Sequence, residues 1–372
     1  MLHPEEMNKR LNRHLTFWGE GFKGEGAYIA VQAPDETVSD QYPEIEAPLS
    51  LEERWFNIDY RLEKFQHRLQ ATYFAGDAVP SVFVDFGSGN LAAMLGAAYK
   101  LAEDTIWFDV DPPIKDWNQL PAFRLHRDEK IYQAVMETTH RLCAESKGRY
   151  LVGVTDIGAN IDILAALRNR QNLLMDFIEE TDAVKEMVGK INGFWREVFL
   201  ASCHIINRYL PGITSFTPIF NPRKWYKLMS EVSVMISPAM FEEIVCPALQ
   251  EQIDFLNGQA LFNLDGQDQI RHLPFVLRLK GLHAIEWNPV PKYQAGHKCA
   301  FKDFTDPGSL KVCREIQAAG KKLVLCGIRP EQVETVFRYI APDGVFLFVH
   351  GTNRKDADEF LLYAQKWRKC NE

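Results

Sequence analysis

From Val82 to the end of the chain, short apolar runs alternate with longer stretches of helical spacing, and this β-then-α rhythm restricts the fold more than any other feature. The clearest unit runs from Gln259 to Val290. Its first strand, Ala260-Leu261-Phe262, stops at the polar group Asn263, Asp265 and Gly266. Ile270, Leu273 and Leu277 then recur about a turn apart. Leu282-His283-Ala284-Ile285-Glu286-Trp287 forms a second strand, ending at Asn288 and Pro289. A strand–loop–helix–strand unit of about 30 residues is the size of one parallel crossover. Further strand patterns lie at Val82–Val84, Thr105–Phe108, Tyr150–Val154, Ile213–Phe220, Glu231–Ile236, Lys322–Cys326 and Val345–Val349.

Short, nearly unbroken apolar strands suit a parallel sheet covered on both faces. Eight or nine of them alternate with helices, which fits a (β/α)8 TIM barrel, a fold that typically takes about 250 residues. A doubly wound open sheet is the alternative. Before Val82 the pattern is different. Met7, Leu11, His14, Leu15 and Trp18 share one face of a helix over residues 1–20, Gly19 to Gly26 reads as a turn, and Tyr28–Val31 as a strand. Leu51–Gln70 reads as a helix that starts at Ser50 with Glu53 at capping-box spacing. The expected organisation is a single domain: residues 1–80 as a helical and loop extension packed on a barrel formed by residues 81–372.

The 372 residues carry a formal charge of −8 and no basic stripe, which argues against a nucleic-acid partner. No apolar run approaches the roughly 20 residues that cross a bilayer. The charged start, MLHPEEMNKRLNRHL, lacks the apolar core of a signal peptide, so a cytoplasmic location is expected. Seven scattered cysteines without a CxxC pair (Cys299 and Cys370 among them) fit reduced thiols.

In parallel α/β folds, ligands bind beyond the carboxyl ends of the strands. Asn263 and Asp265 are two apart and so point to the same side of their strand. Asp265 also stands where it would cap a helix starting at Gln267, a role that leaves Asn263 unexplained. Glu286 ends the next strand beside Trp287. A carboxylate against an indole serves as an acid or base of raised pKa, or else as half of a buried ion pair. Asn288 joins the same loop. His350 follows the run VFLFV where the last strand opens into its loop. Asp85 and Asp156 end earlier strands, the second of which is halted like the one before Asp109 and Asp111. Trp225 is read as a pocket wall or a surface cover, and Cys326 as a buried thiol. The turn Asp85-Phe86-Gly87-Ser88-Gly89 lacks the spacing and the lysine of a phosphate-binding loop and reads as a tight turn under a small-residue helix.

Three segments together carry a resemblance: Phe262-Asn263-Leu264-Asp265-Gly266, Ile270-Arg271-His272-Leu273 and Leu282-His283-Ala284-Ile285-Glu286-Trp287, supported by Val234-Met235-Ile236-Ser237-Pro238-Ala239-Met240-Phe241. The chain from about residue 80 onward resembles the uroporphyrinogen decarboxylase superfamily, most of all its corrinoid-linked methyltransferases and their uncharacterised relatives. That resemblance implies a (β/α)8 barrel. It also implies a cobalamin-binding partner protein and a small methyl donor or acceptor bound at the barrel mouth. The arginine-rich motif by which the decarboxylase grips carboxylates has no counterpart, since the matching region reads Trp18-Gly19-Glu20-Gly21-Phe22-Lys23. Where zinc-dependent members carry a His-x-Cys pair, this chain has Asn263 and Asp265, and His350 falls near the third ligand position. The resemblance therefore implies Asp265 and His350 as the ligands of any zinc, in an atypical set. No D-x-H-x-x-G signature of a fused corrinoid module is present.

On this reading Asp265, Glu286 and His350 are catalytic, and Asp85, Asp156, Trp225, Asn263, Trp287 and Asn288 bind substrate. The alternatives are a carboxy-lyase for a small acid, for which Arg223 and Arg329 are the candidate mouth arginines, and a non-catalytic binding barrel.

Overall fold

The computed structural model describes residues 2–21, 24, 26–38, 41–43, 45–108, 110–292 and 302–368. The expectations placed on Lys23, Asp109, Cys299, Cys370 and most of the Pro291–Gly308 loop lie outside the described residues.

The strands are β1 (Tyr28–Pro34), β2 (Thr72–Gly76), β3 (Ser81–Phe83), β4 (Lys100–Leu101), β5 (Ile106–Trp107), β6 (Leu151–Gly153), β7 (Tyr226–Leu228), β8 (Ala260–Asp265), β9 (Ala284–Asn288), β10 (Lys322–Ile328) and β11 (Val345–His350). Seven form one sheet in the order β2-β1-β11-β10-β9-β8-β7. Every pairing from β1 to β7 is parallel, and only β2 runs antiparallel. β3 and β6 form a separate parallel pair, extended by a bridge from Gly153 to Thr214. The fold is thus α/β with a parallel central sheet.

The strands are apolar on both faces because both faces are covered, leaving their side chains buried. Val345–Val349 is almost entirely buried. Between the helices, the chain uses local signals well. Ser50 Oγ accepts from the Glu53 amide at 3.5 Å and starts a helix, but Asn57 interrupts it, giving α2 (Leu51–Phe56) and α3 (Ile58–Gln70). The first helix, α1 (Pro4–Phe17), buries Met7, Leu11, His14 and Phe17.

Three expectations need correction. Ile213–Phe220 forms no strand, only isolated bridges from Ile213 to Asn221 and from Thr214 to Gly153, because the Ile219 amide folds back onto the Thr217 oxygen at 2.8 Å. Residues 1–80 do not merely pack on the outside: β1 lies between β11 and β2 within the central sheet, because Tyr28–Val31 is apolar enough to be covered on both faces. Val232–Met235 is a 3-10 turn and not a strand, since the Asp162 carboxylate accepts the Glu231 and Val232 amides at 2.9 and 2.7 Å and so caps a helical start. The strand in that region is β7, just before it. No helix among the described residues is long and apolar enough to cross a membrane.

Candidate functional site at the carboxyl ends of the strands

Alternation along parallel strands decides which side chains meet. Register pairs Asn263 with Glu286 and Asp265 with Asn288, and sets Leu261 opposite both Lys227 and Ala284. The face that carries Glu286 and Asn288 therefore also carries Asn263, Asp265 and Lys227. Trp287 points the other way. It is fully buried and its Nε1 has no partner, so it packs behind the strand and does not face substrate.

The centre of this face is an ion pair. Lys227 Nζ lies 2.6 Å from Glu286 Oε1, with both side chains at most 5% exposed. Thr217 Oγ1 donates to Glu286 Oε2 at 2.7 Å and receives from Lys227 at 3.1 Å. Asn288 Nδ2 donates to Glu286 Oε1 at 2.8 Å and to Asn263 Oδ1 at 2.5 Å, while Lys302 Nζ donates to Asn288 Oδ1 at 2.6 Å. Burial alone would raise the Glu286 carboxyl, but the Lys227 ammonium and the donated hydrogen bonds outweigh it and hold its pKa below the usual value. Glu286 is thus the buried ion pair, ionised and saturated, and not an acid of raised pKa.

Two groups at the rim stand apart from this network. Neither the Asp265 carboxylate nor the His350 ring makes a hydrogen bond or ion pair with any described residue. Gly266, not Asp265, occupies the cap position of the following helix, and it makes no side-chain cap bond. Solvent reaches Asp265, yet the surrounding wall withdraws enough water to raise its carboxyl, against the opposing pull of Lys302 and Lys227. Desolvation, with Lys302 nearby, lowers His350, which keeps its ring neutral.

Cys326 joins this site to a cavity. Burial pushes the Cys326 thiol well above its ordinary pKa, and the nearby Glu286 charge acts in the same direction. The cavity beside it, about 320 Å³, lies between the two sheets and is lined by Gln32, Cys326, Phe348 and His350 on one side and by Ser81 and Ser215 on the other.

A solved methyltransferase from Methanosarcina mazei shares this fold. The likeness spans 97% of this chain and 98% of that one, with a TM-score of 0.61 and 12% sequence identity. No family model and no curated protein matches the chain.

The remaining expected residues fall elsewhere. Asp85 accepts the Gly87 amide at 3.0 Å, and Arg61 donates to its backbone oxygen. Asp156 accepts from Ser88 Oγ at 3.0 Å, its other oxygen is buried without a partner, and desolvation raises its pKa to about 6. The glycine-rich turn is filled by the next loop, since a Cβ on Gly158 (φ +98°) would stand 2.6 Å from the Gly89 Cα. Trp225 precedes β7 at the opposite, amino end of the strands, where its Nε1 donates to the Ile213 oxygen at 3.3 Å and its ring lies 5.0 Å from Trp18. It is a fully buried core side chain at the end away from the mouth. Arg223 is likewise at the amino end. Arg329 pairs with Glu331 at 3.0 Å.

Sequence reasoning missed Lys227, Thr217 and Lys302. A signal for Lys227 existed: a lone charge in the buried triplet Tyr226-Lys227-Leu228 demands an opposite buried charge, and Glu286 is one. As for zinc, the donors do not fit. Among the described residues no three His, Cys, Asp or Glu side chains converge, Asn263 is occupied by Asn288, and Cys326 remains a thiol.

Proposed function

We propose that the protein is a methyltransferase in which a small methyl donor or acceptor binds at the carboxyl ends of the strands. In this reading the two sheets are arcs of one (β/α)8 barrel of the uroporphyrinogen decarboxylase type, and a separate cobalamin-binding protein docks over the mouth. The observation that carries it is the pairing of a saturated, rigid Lys227–Glu286–Asn288 platform with two unengaged titratable groups, Asp265 and His350, on a fold shared with a methyltransferase. When docked, the corrinoid supplies the cobalt that takes or gives the methyl group.

The chain's own part is positioning and proton handling. A heteroatom that accepts a methyl group loses its proton, and one that gives up the methyl group gains a proton. Asp265, with its raised carboxyl, is placed to hold that proton in either direction. Lys302, held by the Asn288 oxygen, orients the polar end of the substrate, and Glu286 fixes Asn288 in turn.

A second reading has one observation in its favour. Arg68, from α3, lines the cavity and supplies a cation that a carboxy-lyase would use. The deciding experiment is the cobalt absorbance of methylcobalamin mixed with the protein and a panel of thiols and methoxylated compounds. A protein-dependent spectral change is expected. A spectrum that never changes, combined with carbon dioxide release from a panel of small acids, would replace methyl transfer with lyase chemistry.

A further inference from the structure

The cavity beside the ion-pair network contains groups that the network does not use. Arg68 lies in the last turn of α3, its guanidinium 5.7 Å from the Phe65 ring centroid, and that guanidinium makes no hydrogen bond or ion pair with any described residue, although Asp85 lies close enough to be felt. Solvent reaches its guanidinium, yet the walls around it strip away part of its hydration. Ser215 faces the same space. It is 3% exposed and its Oγ has no partner, an arrangement that costs free energy unless a ligand or water completes it. Phe74, Phe83, Phe216 and Phe348 form the rest of the wall.

We propose that this cavity binds a small monocarboxylate, its anionic end held by the Arg68 guanidinium and the Ser215 hydroxyl and its apolar body lying among the four phenylalanines. The assignment rests on the reading of the carboxyl ends as the substrate site and names the substrate class of that site. A planar guanidinium fork matches the two oxygens of a carboxylate. One cation and one hydroxyl are too few donors for a phosphate, which the protein's net charge of −8 would further disfavour. A volume of about 320 Å³ is at the small end for ligand sites and limits the body to roughly a single ring or a short chain.

The test is calorimetric binding to the full chain of benzoate, phenylacetate and hexanoate, each compared with its neutral amide, and of inorganic phosphate. At least one acid is expected to bind about tenfold or more tightly than its amide. Arg68→Gln should weaken that acid about 10- to 100-fold while leaving the amide unchanged, with Arg68→Lys intermediate and Ser215→Ala milder. Thermal melts establish that each variant is folded. Acids that bind no better than their amides, a preference for phosphate, or acid binding that survives in Arg68→Gln would overturn the assignment. Arg68-dependent acid binding in a protein without methyl transfer would overturn the proposed reaction but not the subsite. Methyl transfer from neutral methoxylated compounds that survives in Arg68→Gln would do the reverse.

Discussion

The two ends of the parallel strands are built from opposite materials. At the amino end, Phe17 packs edge-on against Trp18, Tyr28, His283 and Phe346 at centroid separations of 5.4–5.5 Å, and Trp225 lies against Trp18. The polar atoms around Phe17 and His14 are paired. The Phe17 oxygen, at the end of α1, accepts from Lys322 Nζ at 2.6 Å and His283 Nε2 at 2.7 Å. His14 is clamped on both nitrogens, receiving the Phe220 amide on Nδ1 at 2.9 Å and donating from Nε2 to the Asp77 oxygen at 2.7 Å. At the carboxyl end, the Asp265 carboxylate, the His350 ring and the Arg68 guanidinium make no hydrogen bond or ion pair with a described residue, and Ser215 Oγ and one oxygen of Asp156 are buried without a partner. A folded protein leaves polar groups unsatisfied mainly where something else is to satisfy them. On the proposed reading, one end serves stability and the other a ligand.

The largest effect separating the two ends should come from Glu286→Ala. It strands the Lys227 charge in a buried site and is expected to cost about 3–5 kcal/mol in urea unfolding, with Lys227→Met in the same chain recovering much of it. Trp225→Ala should cost a similar or slightly smaller amount, about 3–5 kcal/mol, by opening a cavity at the amino end. Per folded molecule, however, its methyl transfer and ligand binding should be unchanged. Equal losses of function in the two variants would erase the distinction between the ends.

Acid should also act on the ends with opposite signs. His14 and His283 are held neutral, burial lowering both to about pKa 4. Their contribution is present above the unfolded value of about 6.5 and is lost as pH falls from there through 4, so His283→Gln should flatten the stability curve across that window. Asp156 is raised from 3.8 to about 6, so its buried charge destabilises the fold above pH 6 and is relieved as the carboxyl protonates. Asp156→Asn is therefore expected to stabilise the protein at pH 8 by about 1–3 kcal/mol and to have little effect at pH 4. Denaturant midpoints across pH check both. A destabilised Asp156→Asn at pH 8 would mean that the charge has an unseen partner.

Much of this fold was legible in the sequence because buried parallel strands leave continuous apolar runs. Ala260–Phe262 and Val345–Val349 could hardly be anything else. The face shared by Asn263, Asp265, Glu286 and Asn288 follows from a period of two, and the same rule turns Trp287 away. The errors have local causes. Val232–Met235 has strand-like composition, and the Asp162 carboxylate that makes it helical comes from a distant helix. β7 was hidden because Lys227 interrupts its apolar pattern. β2 was not read as a strand at all, being a short antiparallel edge after α3. Nothing near Arg68 in sequence marks it as a cavity residue, since the cavity is made by strands from both sheets.

On the proposed reading, the chemistry needs Asp265 and the fold does not. The measurement is the initial rate of cobalt absorbance change for wild type, Asp265→Asn and Phe17→Leu, each with its unfolding free energy. Asp265→Asn is expected to keep its stability within about 0.5 kcal/mol and to lose about 10²- to 10⁴-fold in rate. In the direction that methylates the acceptor, the wild-type rate should fall as pH drops through the raised Asp265 pKa, and that limb should vanish in the variant. Phe17→Leu should lose up to about 1.5 kcal/mol and keep its rate. An Asp265→Asn protein that turns over at the wild-type rate, with the acid limb intact, would contradict the account.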